Sequence, residues 1–229
     1  MRPVEHPRVL IVVAATSAAV FALLLVAVGI HSGPLPLDGT VRDWFDTLSS
    51  PDNRDLVRPV ARLGAREVLI PLLVAGGCVL WVRRKTPGPL LLLVGSYLGM
   101  ALVVGPAKTL LHRPEPRDVL GEIGRSFPSG HAAQAILVYG MLALLLLAGP
   151  LAPRARAAAT VVPIVAAAAV GFAVLFREAH WLSDMVAGYA IGLVWMAGPV
   201  ALARLRAPWL LGLTSHGAER GRATSDVVG

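Results

Sequence analysis

Long apolar runs separated by short polar segments dominate this chain. The runs fall near residues 9–30, 67–82, 88–111, 131–151, 157–176 and 182–203. They are apolar on every side rather than striped. A helix that crosses a bilayer needs about 20 predominantly apolar residues. Such a segment must satisfy its own backbone hydrogen bonds, so helices are the predicted elements. The first run is too long for the core of a cleaved signal and lacks a small-residue exit, so it reads as a retained helix. Between the first two runs, Pro34, Pro36 and Pro51 break the segment 31–66. Within it Val41, Trp44, Phe45 and Leu48 recur at helical spacing opposite Asp38, Arg42, Asp43 and Asp46, which predicts a short helix lying in the membrane interface. The expected fold is an all-α integral membrane bundle of six transmembrane helices, with that interfacial helix in the first outer loop. One membrane domain would cover 1–205. Residues 206–229 would form a cytoplasmic, disordered tail, being polar and rich in Gly and Ser from Thr214 onward.

Composition supports this reading. Hydrophobic residues make up 55% of the chain and charged residues 15%, with a mean hydropathy of +0.67. Soluble domains carry about 25% charged residues. The lone cysteine, Cys78, lies in an apolar run, which rules out an internal disulfide. A net charge of +7 would suit a nucleic-acid binder in a soluble protein, but in a membrane protein Lys and Arg gather on cytoplasmic loops. Here the N-terminal segment, the Arg83-Arg84-Lys85 turn, the Arg154/Arg156 turn and the C-terminal tail are basic, opposed only by Glu5, Glu219 and Asp226. Both termini are therefore expected in the cytoplasm and the intervening loops outside the plasma membrane. No nucleic-acid partner is expected, and nothing in the chain specifies a protein partner.

The polar residues of the outer loops carry the candidate chemistry. Lys108 ends the third run, followed by His112, Arg113 and Arg117. Ser126-Phe127-Pro128-Ser129-Gly130-His131 opens the fourth, and Arg177, His180 and Asp184 lie between the fifth and sixth. Ionisable residues beside apolar helices mark a functional site by default. Lys108 and the arginines suit a phosphate's oxygens. Ser129 and Gly130, at a helix N-terminus, offer free N–H groups and a positive dipole end. The two histidines supply a nucleophile and a general acid. Asp184, four residues after His180, would share its face and hold its tautomer. Arg125, Arg117 and His112 read as solvated loop residues. A two-histidine metal site is disfavoured, because the carboxylates lack a compact ligand pattern and the cations repel metal.

At these residues the sequence resembles the type 2 phosphatidic acid phosphatase superfamily, which also includes vanadium haloperoxidases. That family carries K-x6-R-P, then P-S-G-H, then S-R-x5-H-x3-D. Here Pro128-Ser129-Gly130-His131 is intact, as is His180-Trp181-Leu182-Ser183-Asp184, and the matching order and layout extend over 1–205. Two positions depart: the first motif's arginine falls on Glu115, with Arg113 and Arg117 flanking it, and the third motif's arginine falls on Val174, with Arg177 nearby. The resemblance implies a lipid phosphate or diphosphate phosphatase that needs no cofactor or metal. His180 would be the nucleophile, Asp184 its orienting group and His131 the acid. Lys108, Arg113 or Arg117, Ser129, Gly130 and Arg177 would bind the phosphate of a membrane lipid. Polyprenyl diphosphate, phosphatidic acid and phosphatidylglycerol phosphate are the candidate substrates, undecaprenyl-type diphosphate first. The departures also allow a catalytically weak relative that binds lipid phosphates or partner proteins. A small transporter fits the span count but lacks paired broken helices.

Overall fold

Prolines set the starts of several helices. A proline in the first turn loses no hydrogen bond, because that turn's N–H groups have no intrahelical acceptor. In the computed structural model this holds for α2 (Pro36–Leu48), α3 (Arg58–Arg62), α5 (Gly88–Leu111) and α7 (Pro153–Phe176). The other helices are α1 (Pro7–His31), α4 (Arg66–Arg84), α6 (Gly130–Leu147) and α8 (Leu182–Arg206). The structure describes residues 7–31, 33–50, 53–117 and 124–213. The charges Arg2, Glu5, Glu219, Arg220, Arg222 and Asp226, the break at Pro51 and the tail from Thr214 lie outside the described residues.

Five helices, α1, α5, α6, α7 and α8, are long and apolar enough to cross a membrane. The expected second span differs. It is α4, a 19-residue helix bounded by Arg66 and Glu67 at one end and Arg83 and Arg84 at the other. At about 1.5 Å per residue it spans roughly 28 Å, close to the ~30 Å of a bilayer's hydrocarbon core. Leu23, Val26 and Ile30 of α1, Leu98 and Leu102 of α5, and Val162 and Ile164 of α7 are exposed on the bundle's outside, as lipid-facing positions would be.

Close approach of α6 and α8 places the site. Gly188 and Gly192, one turn apart, leave α8 without side chains where α6 crosses it. A Cβ on Gly192 would stand 2.6 Å from the Ala133 carbonyl oxygen, and one on Gly188 would stand 2.8 Å from the Ala132 Cβ. Small residues let membrane helices pack backbone to backbone in this way. The contact sets the first turn of α6 beside the first turn of α8, and the Ser129 N–H donates to the Asp184 carbonyl oxygen at 3.0 Å. One end of the bundle thus gathers the N-termini of α4, α6 and α8 with the C-termini of α1, α5 and α7.

Two outer parts of the expected fold come out differently. Helix α2 has the expected apolar positions but not the expected face. Phe45 is buried on Phe172 and Phe176 of α7, with ring centroids 5.6 and 6.4 Å away, whereas Trp44 and Leu48 are exposed. Asp38, assigned to the polar face, is 1% exposed. The chain also stays ordered past residue 205. Helix α8 runs to Arg206, and a 3-10 turn, Pro208–Leu211, follows, with Leu211 buried. Arg84 donates to the Leu211 and Leu145 carbonyl oxygens there, tying the opposite end of the bundle together.

Candidate active site

His180 lies just before α8, at the floor of an open cavity of about 290 Å³ at the gathered end of the bundle. Its lining includes His131, Gly130 and Gln134 of α6, Lys108 of α5, and Arg66 and Glu67 of α4. Glu115 and Arg125 reach it from the α5–α6 connection. The two imidazole centroids are 6.4 Å apart, which leaves room for a phosphoryl group between the rings.

Local structure explains how each histidine is held. Ser129 caps α6, its hydroxyl accepting from the Ala132 N–H at 3.4 Å, and the preceding Phe127–Pro128 bond is cis. His131 follows in the first turn. On the other side, Glu178 adopts a left-handed φ of 51°, which turns the chain out of α7 and into α8. Glu178 is buried and paired with Arg54 from the α2–α3 connection. Asp184, three residues into α8, accepts from the Trp181 N–H at 2.9 Å and approaches His180 Nδ1 to 3.5 Å. That is long for a hydrogen bond, and His180 Nδ1 has no hydrogen-bond partner among the described residues. With Nδ1 turned toward Asp184, Nε2 is the nitrogen left for the cavity.

Behind this pair lies a buried ionic network that the sequence did not reveal. The Arg113 guanidinium, 1% exposed, donates to Asp184 at 2.5 Å, to the Ser183 hydroxyl at 2.7 Å, to Asp38 at 2.7 Å and to the Gly33 carbonyl oxygen at 3.0 Å. Asp38 in turn accepts from the Ser183 N–H and hydroxyl and from the Leu35 N–H. The Arg113 guanidinium also lies 5.8 Å over the Trp181 ring. Nearly every charge here has fixed partners, as burial demands.

The expected phosphate ligands therefore divide. Lys108 and Gly130 line the cavity, with Lys108 Nζ donating to the Arg125 carbonyl oxygen at 2.5 Å. Arg113 does not line it, because its guanidinium is spent on Asp38 and Asp184. Ser129 is fully buried and spends its hydroxyl on the α6 cap. Arg177 also stands apart. Helix α7 ends at Phe176, so Arg177 is its cap rather than a continuation, and its guanidinium lies 3.9 Å from Asp55. Partial burial and Arg117 hold the Arg177 guanidinium below its ordinary pKa, with Arg58 and Arg62 adding to the repulsion and Asp55 opposing it. Arg177 thus belongs to a cationic rim. Two cations not assigned from the sequence, Arg66 and Arg125, face the cavity with Lys108. Arg66 gave no signal beyond its place at a helix start, and Arg125 only its closeness to the Pro-Ser-Gly-His turn. Glu115, at the motif's arginine position, lines the cavity, while Val174 is buried in the core. Among the described residues no group of three or more His, Cys, Asp or Glu side chains is placed to hold a metal ion.

Comparison with known proteins gives the family and the fold. The model of the PAP2 superfamily matches residues 89–206, just over half the chain. Phosphatidylglycerophosphatase B of Bacillus subtilis (strain 168) is 27% identical over 174 residues, covering 75% of this chain and 86% of the relative. The crystal structure of a transmembrane PAP2 type phosphatidylglycerolphosphate phosphatase from Bacillus subtilis shares the fold, with a TM-score of 0.68 at 24% identity, covering 80% of this chain and 92% of that one. Multi-pass and helical among its described residues, this chain belongs to the PAP2 superfamily, as a membrane phosphatase of that type.

Proposed function

We propose that the chain hydrolyses a lipid-linked phosphate or diphosphate through a phosphohistidine at His180. The observation that carries this reading is the placement of His180 between Asp184 on its buried side and, across the cavity, His131 with three cations. His180 Nε2 attacks phosphorus as the bond to the leaving oxygen breaks, and His131 gives that oxygen its proton. Asp184 moves onto the Nδ1 proton and stabilises the charge that develops on the ring. Lys108, Arg66, Arg125 and the Gly130 amide stabilise the equatorial oxygens. Water then attacks phosphorus, His131 takes its proton, the N–P bond breaks, and phosphate leaves.

In this reading α4 crosses as a sixth span, the cavity opens at the outer face of the plasma membrane, and both termini are cytoplasmic. The lipid's tails stay in the bilayer while its headgroup enters. Phosphatidylglycerol phosphate gains support from the named relative, and phosphatidic acid and polyprenyl diphosphate remain within the class. Glu115 favours one second reading. A carboxylate where the motif has an arginine opposes an anionic substrate, so the chain would bind lipid phosphates or protein partners with weak turnover. Phosphate release from the three lipids by detergent-purified protein, without added metal, decides between them. Turnover lost in His180→Ala supports the first reading. Equal low release by both proteins, with lipid binding retained, supports the second.

A further inference from the structure

The turn that delivers His180 has an unusual residue at its sharpest point. The Glu178 N–H donates to the Leu175 carbonyl oxygen at 2.8 Å, and the Ala179 N–H donates to the Val174 carbonyl oxygen at 3.2 Å. This nested pair of bonds is a Schellman motif at the end of α7, whose left-handed position usually holds Gly because Gly has no Cβ to clash. Here that position is Glu178, with a φ of 51°. Its side chain is 5% exposed and accepts from Arg54 and, at 3.4 Å, from the Ser49 hydroxyl. Arg54 also donates to that hydroxyl at 3.1 Å, and Ser49 caps the end of α2. The start of α2 is tied down too, where Asp38 accepts from the Ser183 N–H at 2.8 Å. One outer segment is therefore fastened to residues 178 and 183, on either side of His180. The His180 ring has little hold of its own: Nδ1 stands 3.5 Å from Asp184 and has no hydrogen-bond partner among the described residues.

Gly would form this turn more easily, so the turn's shape does not account for a carboxylate there. The bond to Arg54 does. Resting on the phosphatase reading, we infer that Glu178 is a positioning residue: paired with Arg54, it fixes the turn two residues before the nucleophile and holds the His180 ring aimed at phosphorus and against Asp184. Glu178 does not line the cavity, so it acts through the backbone rather than on the substrate. Reactive geometry is steep: a displacement of about 1 Å, caused by a change outside the chemistry, can lower the rate about a hundredfold. Arg54 and Glu178 thus secure the approach to His180, as Arg113 and Asp38 secure Asp184 beyond it.

The test separates the carboxylate from the turn. Glu178→Gly supplies the residue the motif prefers and removes the link to Arg54. With the full chain in mixed micelles, and the lipid phosphate that wild-type protein hydrolyses fastest, kcat should fall about ten- to a hundredfold, while KM and the unfolding midpoint stay nearly unchanged. Arg54→Ala breaks the same link from the other side and should lower kcat alike, whereas Arg54→Lys, which keeps a cation, should recover much of it. The double variant should be no slower than either single one, because both act through one contact. Asp46→Ala, which removes only the exposed second partner of Arg54, should leave kcat unchanged. Wild-type kcat in Glu178→Gly, a raised KM with kcat retained, or losses that multiply in the double variant each overturn the inference. If Glu178→Gly does not fold, Arg54→Ala and Arg54→Lys decide: retained kcat in Arg54→Ala, or no recovery in Arg54→Lys, overturns it. Wild-type turnover that is lost in His180→Ala but kept in Glu178→Gly overturns this inference and leaves the phosphatase reading standing. Wild-type protein that hydrolyses no lipid phosphate overturns both.

Discussion

Behind His180, Arg113 meets Asp38, Asp184 and Ser183 in a pocket closed to solvent. In front of it, Lys108, Arg66 and Arg125 face an open cavity together with Glu67 and Glu115. Both regions collect charge at the end of an apolar bundle, on opposite terms. In the buried set carboxylate and guanidinium nearly satisfy one another, so the network can hold Asp184 in one orientation against His180 but has no capacity left for a ligand. In the open set the partners are looser: Arg66 pairs with its exposed neighbour Glu67 at 3.0 Å and Lys108 donates to the Arg125 carbonyl oxygen, which leaves these cations further donors for a ligand from outside. Proximity to a motif histidine is thus a poor guide to whether an arginine binds substrate. What its guanidinium already touches decides.

His180 lies at the boundary, and its loss gives the largest effect. His180→Ala should lower kcat by several orders of magnitude, as removal of a covalent nucleophile does, with membrane insertion and thermal stability retained. Rapid quench with a lipid labelled at the phosphate checks it: label should stay on wild-type protein under alkaline work-up and be absent from the variant. Turnover within about tenfold of wild type would place the nucleophile elsewhere.

Next in size is the buried set itself. Arg113→Ala would strand Asp38 and Asp184 without their cation. Breaking a buried pair from one side costs about 3–5 kcal/mol. The expected result is a large fall in the thermal unfolding midpoint in detergent, with activity lost alongside it. Arg113→Lys should rescue little, because one ammonium cannot reach both carboxylates as the planar fork does. A variant with wild-type unfolding and only a raised KM would move Arg113 to the substrate side.

The same contrast shows what the sequence could reveal. The span 88–111 coincides with α5, because Pro87 and the left-handed cap at His112 mark its ends. The other spans shift by a few residues where prolines act: α7 begins at Pro153 rather than 157, and α6 stops at Leu147, before Gly149-Pro150. Hydrophobic runs record burial in lipid and protein together, so they locate helices well. They do not record which loop residues meet. Asp38 sits in a segment whose periodicity put it on the polar face, and its partner Arg113 is 75 positions away. Arg66 is a charged residue at a helix start like many others until the fold turns it toward Lys108. The motif spacing pointed to His131, His180 and Asp184, but the positions it gives the arginines fall on Glu115 and Val174.

The open set should respond without loss of stability. Lys108→Ala, Arg66→Ala and Arg125→Ala each remove one cation from the cavity. Each is expected to lower kcat/KM about ten- to a hundredfold, the scale of one charge-assisted hydrogen bond of roughly 1.5–3 kcal/mol, while the unfolding midpoint moves little. Competitive inhibition by orthovanadate, a phosphate analogue, should weaken in parallel. Unchanged vanadate affinity in Arg66→Ala and Arg125→Ala would remove those two residues from the phosphate set and leave Lys108 as its cation.

Arg177 should give the smallest change. Its nearest carboxylate is Asp55 at 3.9 Å, and the pair is 20% and 71% exposed. Such surface pairs contribute about 0–1 kcal/mol, so Arg177→Ala should leave the unfolding midpoint nearly unmoved. Any effect on turnover would come from the field it makes with Arg58, Arg62 and Arg117, which raises the local concentration of an anionic headgroup at the cavity mouth. A field effect is screened by salt: the Debye length is about 10 Å at 0.1 M and about 3 Å at 1 M. The expected pattern is a few-fold loss of kcat/KM at low ionic strength that disappears as salt is raised. Direct ligation of phosphate in a partly enclosed cavity would be screened far less. A loss of a hundredfold or more that persists at high salt would bring Arg177 into the cavity during turnover and join the rim to the open set.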